Sequence, residues 1–113
     1  MIWKATKEQV VDHLFGVGVY QWGWWADYGE TDDGKLFAEV IDPDSDVDPY
    51  EEDPKTIRKE FTLTELKKAV DELTKREDDY AKQIQRAIRD DDFDADDADV
   101  VLQWLVFGEV VYA

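Results

Sequence analysis

Val19-Tyr20-Gln21-Trp22-Gly23-Trp24-Trp25-Ala26-Asp27-Tyr28 gathers three indoles and two phenols into one short run. Side chains of an extended strand alternate between faces, so Tyr20, Trp22, Trp24, Ala26 and Tyr28 would share one side. Aromatic rings offer the largest apolar areas a small chain can bury, which makes that even-numbered face the expected floor of the core. Trp24 and Trp25 cannot share a face of a regular strand. One of the two is therefore expected at an edge, at an interface or beneath a helix.

The elements on either side follow from turn and cap chemistry. Thr31-Asp32-Asp33-Gly34 contains the Asp-Gly pair of a tight turn, and Lys35–Ile41 has the composition of a returning strand, so the two segments should form an antiparallel hairpin. Lys55–Phe61 suits a third strand. Upstream, Thr6-Lys7-Glu8-Gln9 is a capping box, followed by Val10, Val11, Leu14 and Phe15 at helical spacing and by Gly16 at the expected end. Thr62-Leu63-Thr64-Glu65 is a second capping box, with Phe61 and Leu66 at the positions of a hydrophobic staple. Leu63, Leu66, Val70 and Leu73 continue it as one stripe to about Lys75.

Two further helices close the chain. Tyr80, Ile84, Ala87 and Ile88 repeat at helical spacing over about 79–89, with Lys82, Arg86 and Arg89 on the other face. Asp94 is placed to cap the last helix, and Asp96 and Asp97 suit the positive end of its dipole. Ala98, Val101, Leu102, Leu105 and Val106, joined by Trp104, give it a wide apolar face, and Gly108 marks its end. Glu109–Ala113 reads as a short strand or an extra turn. The expected fold is one α+β domain over residues 1–113: an N-terminal helix, an antiparallel sheet of two or three strands, and three helices packed on it.

Charge is the strongest functional signal. The chain carries 29 acidic against 13 basic residues, a formal charge of −16. Two blocks hold most of the excess. Residues 42–54 contain seven acidic and no basic groups, and residues 90–99 contain seven aspartates. Such a field attracts basic partners and repels nucleic acid and anionic membranes, whose recognition needs positive surface. With no cysteine, disulfides and thiolate metal sites are ruled out. Neither an apolar leader at the N-terminus nor a membrane-length apolar run is present, so a soluble cytoplasmic protein is expected.

No motif in the chain specifies a reaction or a cofactor. Gly16-Val17-Gly18 is too short to cradle a phosphate and reads as a connector. Asp42, Asp44, Asp46 and Asp48 fall at alternate positions of a calcium loop, yet Val47 occupies the glycine position and Asp53 replaces the closing glutamate. That segment, with all three prolines, reads as a solvated acidic loop. His13 stands beside its helix's apolar face without carboxylate or cysteine at ligand spacing, which suits a rim position.

The run Asp99-Val-Val-Leu-Gln-Trp-Leu-Val-Phe-Gly-Glu-Val-Val-Tyr112 resembles the ending of small acidic proteins of unknown function encoded by phages of actinobacteria. The resemblance covers the C-terminal segment alone and carries no active residue. It implies a phage or mobile-element origin, a source of host-directed inhibitors and DNA mimics.

Three function classes follow. The first is a non-enzymatic protein that engages a basic protein through Asp42, Asp44, Asp46, Asp48, Glu51, Glu52 and Asp53 together with Asp90, Asp91, Asp92, Asp94, Asp96, Asp97 and Asp99, in the manner of a phosphate array if both blocks share a side. The second uses Trp22, Trp24, Trp25 and Tyr28 as a stacking platform for a sugar or an apolar partner segment. An enzyme is the third, and abundant carboxylates without a recognisable nucleophile and base do not point to it. Adaptation to salt would also account for an acidic surface.

Overall fold

The structure, a computed structural model, describes residues 3–19, 22–45 and 53–112. Helix α1 (Lys7–Phe15) is followed by strands β1 (Trp25–Glu30), β2 (Leu36–Ile41) and β3 (Thr56–Phe61), then by helices α2 (Leu63–Thr74), α3 (Asp79–Asp90) and α4 (Ala95–Phe107). The strands form an antiparallel meander in the order β1-β2-β3. The expected α+β architecture is the observed one.

Helix boundaries fall where cap chemistry places them. The Thr6 hydroxyl accepts from the Gln9 amide and the Gln9 side chain accepts from the Thr6 amide, a complete capping box. The Thr62 hydroxyl accepts from the Glu65 amide, whereas the Glu65 carboxylate accepts from the Thr62 hydroxyl rather than from the backbone N–H. Phe61 and Leu66, the staple positions, are both fully buried. Asp94 and Asp97 cap α4 reciprocally, and Gly108, at φ 73°, ends it in the left-handed conformation that glycine adopts without steric cost.

Strand β1 departs from the alternation read in the sequence. Residues 22–24 form a tight turn before the strand, in which the Trp22 amide bonds the Val19 carbonyl and the Trp25 amide bonds that of Trp22. A bulge then lies between Trp25 and Asp27, because Trp25 pairs with Val40 while Asp27 pairs with Glu39. One extra residue reverses the parity of the faces. Trp25, opposite buried Val40, and Tyr28, opposite buried Ala38, consequently lie on one side, and Ala26 is exposed. The even-numbered floor is corrected accordingly: Trp25 is the core residue, Trp24 stands outside the strand, and Tyr20 lies outside the described residues.

The hub of the fold is α4. It packs against α1, α2, α3 and β3, and eight of its residues, from Ala95 through Gln103, are buried. A helix with so wide an apolar face must be covered on several sides, and here every other helix contributes to the cover. The outer face of the sheet is polar by contrast. There Gly29 sits opposite Phe37, whose ring also lies beneath the Arg58 guanidinium at 3.9 Å. A side chain at Gly29 would meet that ring at 3.2 Å. Among the described residues no helix is long and apolar enough to cross a membrane.

Candidate functional site: an acidic and aromatic groove at the N-terminus of α4

The groove is built around a buried carboxylate. Asp99, on the second turn of α4, is 8% exposed. Its Oδ1 accepts from Trp24 Nε1 and Trp25 Nε1, each at 2.7 Å, and its Oδ2 accepts from Gln103 Nε2 at 2.9 Å. Adjacent residues of a regular strand would point their indoles apart; the turn and the bulge aim both at one oxygen. Burial pushes the Asp99 carboxyl above the ordinary aspartate range, outweighing the three donated hydrogen bonds, and the negative charge of Asp96 acts in the same upward direction.

Gln103 extends this network to the chain's end. It is fully buried; its Oε1 accepts from the amides of Val111 and Tyr112, both at 2.8 Å, and its Nε2 donates to the Tyr112 carbonyl at 3.0 Å. Residues 109–112 thus form neither the strand nor the extra turn expected from sequence. They are a strap tied to α4 by one amide. The strap brings the Tyr112 ring onto Trp24, with centroids 5.2 Å apart and planes 4° apart, and Trp24 stacks in turn on Trp22 at 5.6 Å and 6°. The Tyr112 hydroxyl donates to the Ile41 carbonyl at 2.6 Å. Burial raises the pKa of that phenol, and the neighbouring Asp42 carboxylate raises it further.

Trp22, Trp24, Tyr80 and Tyr112, with Val100 and Val110, line a cleft of about 350 Å³ whose polar lining is Gln83, Asp96 and Asp99. Gln83 and Asp96 also line a second, acidic cleft of about 250 Å³, completed by Arg86, Ala87, Asp90, Asp92, Asp94 and Asp97. Two shared walls make the clefts neighbours. Asp97 is 7% exposed and held from both sides, Gln83 Nε2 donating to its Oδ1 at 2.7 Å and the Asp94 amide to its Oδ2 at 3.0 Å. Burial is the main cause that pushes its carboxyl up. Among the described residues no group of three histidine, cysteine or acidic side chains is placed to hold a metal ion.

No family model, curated protein or solved structure matches this chain.

The residues singled out in the sequence are distributed unevenly over this surface. Asp90, Asp92, Asp94 and Asp96 are exposed and border the acidic cleft. Asp91 turns away, in a left-handed conformation at φ 49°, with its carboxylate 3.3 Å from His13 Nε2. His13 itself lies beside the stacked rings of Trp3 and Phe93, with ring centroids 6.2 and 5.2 Å away. Asp97 and Asp99, expected as contact residues, are buried instead, their oxygens taken by Gln83 and the Asp94 amide in the first case and by Trp24, Trp25 and Gln103 in the second. In the first block, Asp42 caps its own loop by accepting from the Asp44 amide at 2.9 Å; Asp44 and Asp53 are exposed. Asp46, Asp48, Glu51 and Glu52 lie outside the described residues.

The aromatic set divides as well. Trp22 and Trp24 border the cleft, Trp25 is buried beneath it, and Tyr28 stacks on Phe15 at 5.0 Å, away from the cleft's lining. Tyr80 and Tyr112 complete the lining without having been marked in the sequence. Gln103 was the available signal for Tyr112. A lone amide on an otherwise apolar helix face needs partners when buried, and the backbone of the following strap supplies them.

Proposed function

We propose that the protein is a non-enzymatic binding protein that engages a basic protein through the surface around the N-terminus of α4. What supports this reading is the ring stack of Trp22, Trp24 and Tyr112. At one end the Tyr112 hydroxyl is bonded to Ile41, next to Asp42; at the other Trp22 Nε1 donates to the Ala95 carbonyl at 3.4 Å, next to Asp96. Asp42 of the first block and Asp96 of the second thus stand beside the two ends of one ring stack. Carboxylates so gathered add their fields, steer a cationic partner and fix its register. The buried acids do not compete with this role, since Asp97 and Asp99 are engaged by donors of the fold itself.

A finer form of the proposal is an inhibitor of phage or mobile-element origin whose carboxylates stand in for nucleic-acid phosphates. Its support is the same placement together with the formal charge of −16. The test uses three immobilised proteins in bacterial lysate: the wild type, the triple substitution Asp90→Asn, Asp92→Asn and Asp96→Asn, and a charge-matched triple elsewhere, Glu8→Gln, Asp32→Asn and Glu72→Gln. Basic proteins are expected on the wild type and the control triple at low salt, to be lost from the groove triple, and to elute at about 1 M salt. Absence of basic proteins from the wild type, or equal loss from both triples, contradicts the proposal.

A further inference from the structure

We propose that the aromatic cleft takes an arginine side chain of the basic partner, with the guanidinium laid against the Trp22 end of the ring stack and paired with Asp96. This rests on the function proposed above and names the group that its surface reads. Trp24 is the middle ring of the stack, so the outer face of Trp22 carries no ring from any described residue. Trp22 also lines a small hollow together with Asp94, Ala95 and Asp96. Trp22 thereby presents an apolar plane with a carboxylate at its rim.

The chain satisfies its own arginines in just this way, twice. Arg76 lies 4.8 Å over the Trp104 ring and pairs with Asp78 at 2.5 Å. Arg58 lies 3.9 Å over the Phe37 ring with Glu60 at 3.8 Å. A planar, weakly hydrated guanidinium gains from an aromatic face and from a carboxylate at once, whereas the compact lysine ammonium keeps its water more tightly and cannot stack. Among the described residues no cation occupies the third such combination, that of Trp22 with Asp96. Charge complementarity selects the occupant. Exposed Asp92 and Asp94 next to the cleft, with Asp90 paired to Arg89 beyond them, favour a basic segment over a sugar or an apolar one.

The test compares acetylated, amidated hexaarginine with hexalysine in titrations followed by tryptophan emission and by calorimetry. Both peptides carry the same charge, so general attraction to an acidic protein is common to them. Hexaarginine is expected to bind roughly fivefold more tightly than hexalysine. That preference is expected to vanish in Trp22→Leu and to shrink in Tyr80→Ala, a change at an exposed ring that leaves the core intact, while hexalysine binding stays as in wild type. Equal affinities for the two peptides, or a preference that survives both substitutions, overturns the arginine site but leaves the basic-partner function standing. Binding of neither peptide at low salt overturns both. A cleft closed by self-association, seen as a dimer by sedimentation, or occupied by an uncharged sugar in place of the peptides, also overturns it.

Discussion

Asp96 and Asp99 lie one turn apart on α4 and carry the same carboxylate, yet their surroundings assign them different work. Asp96 is exposed between two clefts. Asp99 is buried under two indoles and an amide that donate to it. The contrast teaches that acidic count alone does not measure an interaction surface: of the seven aspartates at 90–99, Asp94, Asp97 and Asp99 hold the fold together and Asp91 turns toward His13. A buried carboxylate is tolerated where fixed donors replace its water, and an exposed one keeps its field for a partner.

Removing the buried member should have the largest effect. Asp99→Ala leaves two indole N–H groups and one of the two Gln103 Nε2 hydrogens unpaired, and a loss of about 2–4 kcal/mol in chemical unfolding is expected. A loss below that of an ordinary surface change would break the contrast. Gln103→Leu removes the strap's anchor at nearly constant volume. It is expected to cost about 2 kcal/mol and to raise proteolysis of residues 109–112, with the Trp24 emission shifted to the red as Tyr112 leaves.

Asp99→Asn sharpens the comparison through pH. Because burial raises the folded-state pKa of Asp99, the native chain holds this proton more firmly than the unfolded one. Its contribution to stability is then fully present below the unfolded value of about 3.9 and falls as pH rises through the folded value. The asparagine variant lacks that dependence. The stability gap between wild type and Asp99→Asn should narrow as pH rises from about 4, the unfolded aspartate value, in urea titrations; a widening gap would mean that hydrogen bonding, not burial, dominates at this site. The smallest stability change belongs to the exposed set. Asp90→Asn, Asp92→Asn and Asp96→Asn together should leave stability within about 0.5 kcal/mol or raise it slightly by relieving like-charge repulsion, while weakening cationic ligands.

The helices were legible because their signals are local. Thr6 with Gln9, Thr62 with Glu65 and Asp94 with Asp97 each cap a helix start through side chains a few residues away. The hairpin at Thr31–Gly34 was legible for the same reason, with Gly34 at φ 85°. The aromatic strand was misread in its faces because a bulge is a property of two paired strands, and the alternation of one strand does not contain it. The choice of α4 over the aromatic run as the hub was likewise outside local reading, since it depends on how many elements surround that helix. Candidate residues fared by the same rule. Which aspartates stay exposed was decided by contacts some 75 positions away, as the Trp24 to Asp99 bond shows.

The most direct test of the account is a carboxyl and indole NMR titration of the intact protein with hexaarginine at low salt. The account predicts shifts concentrated at Asp90, Asp92, Asp94 and Asp96 and at the Trp22 indole, with the Trp25 indole and the Asp32 and Glu72 carboxylates left in place. Shifts of similar size on carboxylates all around the molecule would contradict it.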